Sequence, residues 1–573
     1  MEGLEVTVLL GATIVVGAII APRIRLALPL VLVVLGLLLG FVPALREIQL
    51  PPETVLLLFL PVMLFWESLT TSLRSIRRDF RYILPMSTVL VVASAFAVAG
   101  IAVLFGLPWE AALILGAAVA PPDATAVAAL GRLLPRRMFM KLKAESLTND
   151  GTALVLYAIA VSLAMGAHIT PLSVTWMVVE SYVGGIAAGV AVAGLGFLVL
   201  RRMTSTIVIN VTLLLLPFTA FLVAELVQAS GVLAVVVAGL IVAAVAPRMT
   251  TAASRRQADA AWPFGVYLLN GALFVLIGIE VQYVVHEISA AMIGWLVLVT
   301  LAVWLVLLVV RLLFQTLTVP FARGASPLRG RTRARAWIVS TVAGMRGAVS
   351  LAIALSVPLA SGDGGAVQGR DAIVFVTAGV ILLSLLVQGP LLPAVVRWAR
   401  IPADHAEDEE YEMAERAISG AALAALDELA AQQGVSDEVR DRARREGYEA
   451  LELANARTLE RERALVDAEV GAMEALLDEP DPLALESAVD PTIAGPTAPL
   501  QMLAVSTNVD LLQRSPLVRH DEATRLKLAL IERKRDVLHG LRRSGTVDDL
   551  IVRRIAARMD LEEVRLRGIE EVG

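Results

Sequence analysis

Residues 116–131 read GAAVAPPDATAVAALG. Small apolar residues surround an adjacent pair of prolines and a single carboxylate, and this is the stretch that decides the fold. It lies within an apolar run, 109–131, whose length suits crossing about 30 Å of hydrocarbon at about 1.5 Å per helical residue. Pro121 and Pro122 remove two backbone donors in the middle of that run, so the helix is expected to unwind there. Irregular backbone at membrane depth is tolerated where protein or water covers it, and freed carbonyls beside Asp123, with Thr125 close behind, supply hard oxygen ligands for a cation. The competing reading is a simple proline kink with Asp123 paired to a nearby base.

Comparable apolar segments recur on both sides of this one. Thirteen spans are predicted, at 4–21, 24–43, 52–70, 83–106, 109–131, 145–166, 173–200, 205–228, 231–247, 260–284, 288–314, 336–360 and 371–396. The 573-residue chain is 57% hydrophobic, contains no cysteine and five histidines, and has a mean hydropathy of +0.74. That excludes a water-soluble enzyme, thiol chemistry and cysteine zinc sites. Residues 1–400 carry 27 Lys+Arg and 17 Asp+Glu, whereas 401–573 carry 22 and 37, so the first region suits lipid and the second water. The acidic start, MEGLEVTVLL, lacks a basic n-region and reads as a first membrane helix rather than a cleaved signal.

Basic residues orient the spans. Alternate loops hold 23 Lys and Arg, among them Arg74/Arg77/Arg78/Arg81, Arg132/Arg136/Arg137/Lys141/Lys143 and Arg323/Arg329/Arg331/Arg333/Arg335, while the opposite set holds Arg46 and Arg370. The expected topology has the N-terminus outside and the tail cytoplasmic, in a multi-pass protein of the cell membrane. The tail, rich in Ala, Leu, Glu and Arg, is expected to be α-helical, in groups at about 401–478 and 500–571. A linker with five prolines in 480–499 joins them. It reads either as a solvated helical domain without chemistry or as a regulatory or dimer-bracing domain.

Ionisable side chains at membrane depth cost roughly 2.5–3.5 kcal/mol each on insertion scales, so each needs a partner, water or a task. In ESLTNDGTALVLY (145–157), Ser146, Asn149 and Asp150 fall at i, i+3 and i+4 and share a helix face. A helix N-cap at Glu145-Ser146 is the alternative, which accounts for Ser146 but not for Asp150 a turn deeper. In STVAGMRGAVSLAIALSVP (340–358), Arg346 reads as the only arginine deep in a span, flanked by Gly344 and Gly347, which permit a broken helix. Glu145 is its expected partner, leaving Asp123 and Asp150 to titrate. Glu67, in FLPVMLFWESL (59–69), suits either a water-mediated ligand role or a packing hydrogen bond. Glu180, Glu225 and Glu280 fall near outer span ends and could line a cation-concentrating funnel.

Together the E-S-x-x-N-D run at 145–150, Asp123 in its interrupted helix, Gly344-Met345-Arg346-Gly347-Ala348 and Leu64-Phe65-Trp66-Glu67 resemble, over about 1–400, the bacterial sodium/proton antiporters of the monovalent cation/proton antiporter superfamily. The resemblance implies an all-α polytopic homodimer with inverted repeats and two interrupted crossing helices, here spans 5 and 12. It implies a monovalent cation, Na⁺ or else K⁺ or Li⁺, competing with H⁺ at Asp123 and Asp150, electroneutrally and by alternating access, in service of pH homeostasis. Ser146, Glu67 and the Pro122 carbonyl would complete coordination, with Asn149, Glu145 and Arg346 supporting the site. Pro122-Asp123-Ala124 departs from the family's Thr-Asp-Pro, and Trp66 intrudes before Glu67; both bear on ion selectivity. A cation channel gated by the tail is the alternative function. No H-E-x-x-H, G-x-S-x-G or Walker A motif is present, so neither an enzyme nor a cofactor is expected, nor a nucleic-acid partner. Lipid and an unidentified tail ligand complete the expected partners.

Overall fold

The computed structural model describes residues 2–24, 26–42, 52–123, 134–166, 170–246, 249–287, 289–318, 330–358, 368–401, 406–477 and 516–567. Two compact units divide the chain, Met1–Asp404 and His405–Gly573.

In the first unit, eight helices are long and apolar enough to cross a membrane, and four apolar helices are shorter. In chain order they are α1 (Glu2–Ile24), α2 (Leu28–Leu39), α3 (Pro52–Leu69), α4 (Leu73–Ser87) with α5 (Val89–Leu104), α6 (Trp109–Val119), α7 (Arg136–Ala164), α8 (Pro171–Leu200), α9 (Thr206–Leu226), α10 (Gly231–Val245), α11 (Ala252–Glu287) and α12 (Ala290–Thr318). Then come the short pair α13 (Gly330–Val342) and α14 (Ala348–Leu355), and finally α15 (Arg370–Leu383), a π-helical turn Ser384–Gln388 and α16 (Gly389–Ala399). Among the described residues each predicted span holds a helix or a broken pair, and no strand occurs.

Local chemistry explains many ends. Ser72, Thr170 and Ser230 accept hydrogen bonds from backbone N–H groups three residues on, starting α4, α8 and α10. Within the helices, hydroxyls fold back on the preceding turn, as in Ser68 Oγ to Leu64 O (2.6 Å) and Thr300 Oγ1 to Leu296 O (2.7 Å). This satisfies polar groups without water. Outward-facing leucines such as Leu195, Leu215 and Leu305 are more than half exposed, as an acyl-chain environment permits.

Two close backbone contacts position the interior. A Cβ on Gly36 of α2 would lie 2.1 Å from Val275 O of α11, and one on Gly278 would lie 2.2 Å from Val33 O. Only glycine lets these helices meet backbone to backbone. Against α6 pack α5, α7, α14 and α15, which is why Ala111–Ala120 are buried throughout.

The second unit is helical: α17 (Ala406–Ala424), α18 (Leu426–Gln432), α19 (Asp437–Leu477), α20 (Pro516–Ser544) and α21 (Asp549–Arg567). One apolar core joins Ala414, Ile418, Ile531, Leu538, Ile551 and Ile555, and a smaller one joins Leu426, Ala430, Val439 and Leu526. Carboxylates tie one helix to the start of another: Glu522 accepts from both N and Oγ of Ser436 (3.1 and 2.6 Å), and Glu410 accepts from Asp548 N (3.1 Å). The predicted proline-rich linker, 480–499, lies outside the described residues.

Candidate functional site

The Pro121-Pro122 pair ends α6 at Val119, and the chain then leaves helical hydrogen bonding as far as Asp123. Thr125 and the rest of the predicted span lie outside the described residues. The second break falls at 343–347, between α13 and α14. The two breaks touch: Asp123 N donates to Met345 O at 2.7 Å. The Asp123 carboxylate packs against Gly347, where a Cβ would sit 1.7 Å from Oδ2, so no other residue fits there. Because Gly347 is the N-cap of α14, that carboxylate faces the positive end of a half-helix.

Arg346 does not pair with Glu145 as expected. Its guanidinium donates to three carbonyls, Val119 O (3.1 Å), Ala120 O (3.4 Å) and Gly344 O (2.5 Å). These are acceptors that the broken helices leave without intrahelical donors, so Arg346 caps α6 at its negative end. Ser384, at the start of the π-helical turn, accepts from Arg346 N (3.3 Å) and holds the same residue from the other side.

Glu145 instead pairs with Arg311 of α12, through Nη1 to Oε1 at 2.5 Å and Nη2 to Oε2 at 3.1 Å. Both side chains are almost wholly buried. Arg311 Nε also donates to Ser340 O (3.1 Å), while Gln315 Nε2 donates to Ser340 Oγ (2.9 Å). Arg346 is therefore not the only arginine deep in a span. The sequence carried a signal for the second in Arg311 and Gln315, which lie at i and i+4 in an otherwise apolar helix. Gly344 accommodates the pair, since a Cβ there would lie 2.8 Å from Arg311 Nε.

Helix α7 presents the remaining residues. It begins at Arg136, nine residues before Glu145, which rules out the reading of Glu145-Ser146 as an N-cap. Ser146, Asn149 and Asp150 are buried on this continuous helix. Asn149 Nδ2 donates to Pro122 O at 3.0 Å, fastening α7 to the first break, and its Oδ1 is buried without a hydrogen-bond partner. Glu67 of α3 is half-buried. Lys143 Nζ donates to Thr70 Oγ1 (2.7 Å) and Thr70 O (3.2 Å), which places an ammonium one turn from Glu67. Sequence reasoning passed over Lys143 because it counts as a loop cation in the basic-residue pattern.

Glu180 and Glu225 are exposed, while Glu280 faces Arg370 at 3.9 Å between α11 and α15. No group of three or more metal-ligating side chains of the multivalent kind occurs among the described residues.

Comparisons with known proteins agree with this architecture. The model of the family described as sodium/hydrogen exchanger, transmembrane, matches residues 10–398. An uncharacterized Na⁺/H⁺ exchanger of Mycobacterium tuberculosis is 38% identical over 98% of this chain and 96% of its own. A sodium, potassium, lithium and rubidium/H⁺ antiporter of Bacillus pumilus is 29% identical over 64% of this chain and 57% of its own. Among solved structures, the sodium proton antiporter MjNhaP1 from Methanocaldococcus jannaschii shares the fold, with a TM-score of 0.56 at 18% identity over 70% of this chain and 98% of that one. Multi-pass, all-helical and broken at two touching points inside the bundle, the chain belongs to the sodium/hydrogen exchanger family, a family of transporters and not of enzymes.

Proposed function

We propose that this protein exchanges a monovalent cation for H⁺ across the cell membrane, with Asp123 and Asp150 as the residues that take either one. The observation that carries the reading is the burial of both carboxylates beside two helix breaks that are tied to each other and capped by Arg346. Carboxylates in such a place must be neutralised, by a dehydrated cation or by protons, and competition between the two is itself the coupling. Na⁺ is the favoured cation, with K⁺ and Li⁺ as alternatives in keeping with the breadth of the Bacillus relative's name. Ser146, the Pro122 carbonyl and Glu67 are proposed to complete the coordination, and Asn149 to hold Pro122 in place.

Arg346 satisfies the broken α6, and Arg311 neutralises Glu145. The proposed exchange is electroneutral, one cation for one H⁺. Alternating access would move this site between the two faces, with the N-terminus outside and the tail in the cytoplasm, in a homodimer whose chains span 1–400 and 401–573 as membrane and tail domains.

The test is transport by the purified protein in sealed vesicles under an imposed pH gradient, adding Na⁺, K⁺ or Li⁺ with and without a potential clamp. Exchange predicts cation-dependent proton movement insensitive to voltage, abolished by Asp150→Asn in a protein that still folds. Wild-type rates in that variant would remove Asp150 from the site. Voltage-driven cation flux without proton movement would make the protein a channel.

A further inference from the structure

The Lys- and Arg-rich end of the bundle contains a cleft of about 640 Å³ lined by Arg335, Ala394, Arg397, Trp398 and Arg400. It lies between α13 and α16, which pack together. The Arg335 guanidinium sits over the Trp398 ring at 5.4 Å, so the indole orients the first cation. Arg397 is in the last turn of α16, and Arg400 closes that helix in a left-handed conformation with φ 45°. Among the described residues none of these three arginines has a carboxylate partner. Three arginines lining one cleft, with no carboxylate partner among the described residues, call for an anion.

The surroundings say which anion. Below the arginines both helices turn apolar side chains outward: Ile338 on α13 and Leu386, Val387 and Leu391 along the α15–α16 span are 36–50% exposed. Trp398 itself is 51% exposed at the boundary between that apolar flank and the basic cleft, the level at which tryptophan settles in a bilayer. A soluble anion would use the arginines and leave the flank idle. A molecule with a phosphate at one end and acyl chains at the other uses both.

We propose that the Arg335–Arg397–Arg400 cleft is a binding site for the phosphate of an anionic phospholipid, whose acyl chains run down the Ile338–Leu391 flank. The site is separate from the carboxylates of the exchange reading and does not depend on that reading. Each arginine near a membrane surface is worth about fivefold in affinity for anionic lipid.

The test uses the purified full chain in neutral detergent, titrated with phosphatidylglycerol, with bound lipid counted by native mass spectrometry. Wild type should retain phosphatidylglycerol and not phosphatidylcholine. Arg397→Gln should weaken retention about fivefold, and Arg335→Gln with Arg397→Gln roughly thirtyfold. Arg201→Gln with Arg202→Gln, two exposed arginines at the end of α8, should leave it unchanged. Equal retention by wild type and the Arg397→Gln variant would overturn the proposal, as would an equal loss in the α8 control. Displacement of the lipid by inorganic phosphate alone would overturn it too, in favour of a soluble anion. Arg397 is exposed, so its single variant carries the test even if the double variant fails to fold.

Discussion

Arginine–carboxylate pairs hold together both halves of this protein, and they do different things in each. In the membrane unit Arg311 and Glu145 are 2% and 1% exposed and meet in a two-point fork that Ser340 extends. In the tail Arg442 and Glu446 are 76% and 42% exposed, on one face of α19, and Arg440 touches Asp427, Asp437 and Asp441 in turn. The chemistry is the same, but water makes the second set interchangeable and its absence makes the first set obligatory. A buried pair specifies which helices meet; an exposed lattice keeps a helical surface soluble.

The sharpest way to break this comparison is Arg311→Ala. It strands Glu145 in the interior, and the expected loss is about 3–5 kcal/mol of stability, read as a lowered unfolding midpoint of the detergent-solubilised protein. Combining Arg311→Met with Glu145→Leu should recover most of that loss, because an apolar pair of similar volume has no charge to desolvate. If the double variant stays as unstable as the single, the fork is doing more than neutralising a charge.

A smaller but site-directed effect is expected from Gly347→Ala. The new methyl must displace the Asp123 carboxylate, at a cost of about 1–3 kcal/mol, and cation-stimulated proton movement in vesicles should fall accordingly while the protein still folds. Unchanged transport would mean that the position of Asp123 against α14 is dispensable.

At the lower end lies the tail. Arg442→Ala should change stability by less than about 0.5 kcal/mol, measured by the same melting assay. Hydrogen bonding from Lys527 holds the Glu446 carboxyl below its usual range, so the pair favours the folded tail above the pKa of an unfolded glutamate. That contribution disappears as pH falls through the lower, folded value. Glu446→Gln should therefore flatten a small acid-side decline in protection of α19 and α20, read by hydrogen exchange, and 0.5 M salt should do the same. Both effects should be fullest at pH 8, where Glu446 is ionised, and should vanish in acid once the wild-type carboxyl is protonated.

Much of this molecule was legible in its sequence, for reasons that also mark the boundary. Hydropathy located the apolar helices because lipid tolerates few alternatives. Helical spacing alone put Ser146, Asn149 and Asp150 on one face of α7, and Pro121-Pro122 announced the first break. What hydropathy misses is polar helix: RRMFMKLKA precedes Glu145 as a further two turns of α7 that an apolar window excludes. Equally, the partner of Glu145 could not be chosen by listing buried arginines span by span. Arg311 lies near the end of a long apolar helix and looks like a flanking cation, and Arg346 is spoken for by carbonyls that exist only because two breaks 220 residues apart in the chain are in contact.

That contact has a mechanical meaning. With Asp123 N bonded to Met345 O, Arg346 bonded to Val119 and Ala120, and Asn149 bonded to Pro122, the interrupted segments are riveted into one piece with α7. Neither half-helix can tilt by itself without tearing several of these bonds at once. Any displacement that carries Asp123 must haul α6, α14 and α7 as a single freight car, and the slack needed for such travel has to be found in the layers outside it.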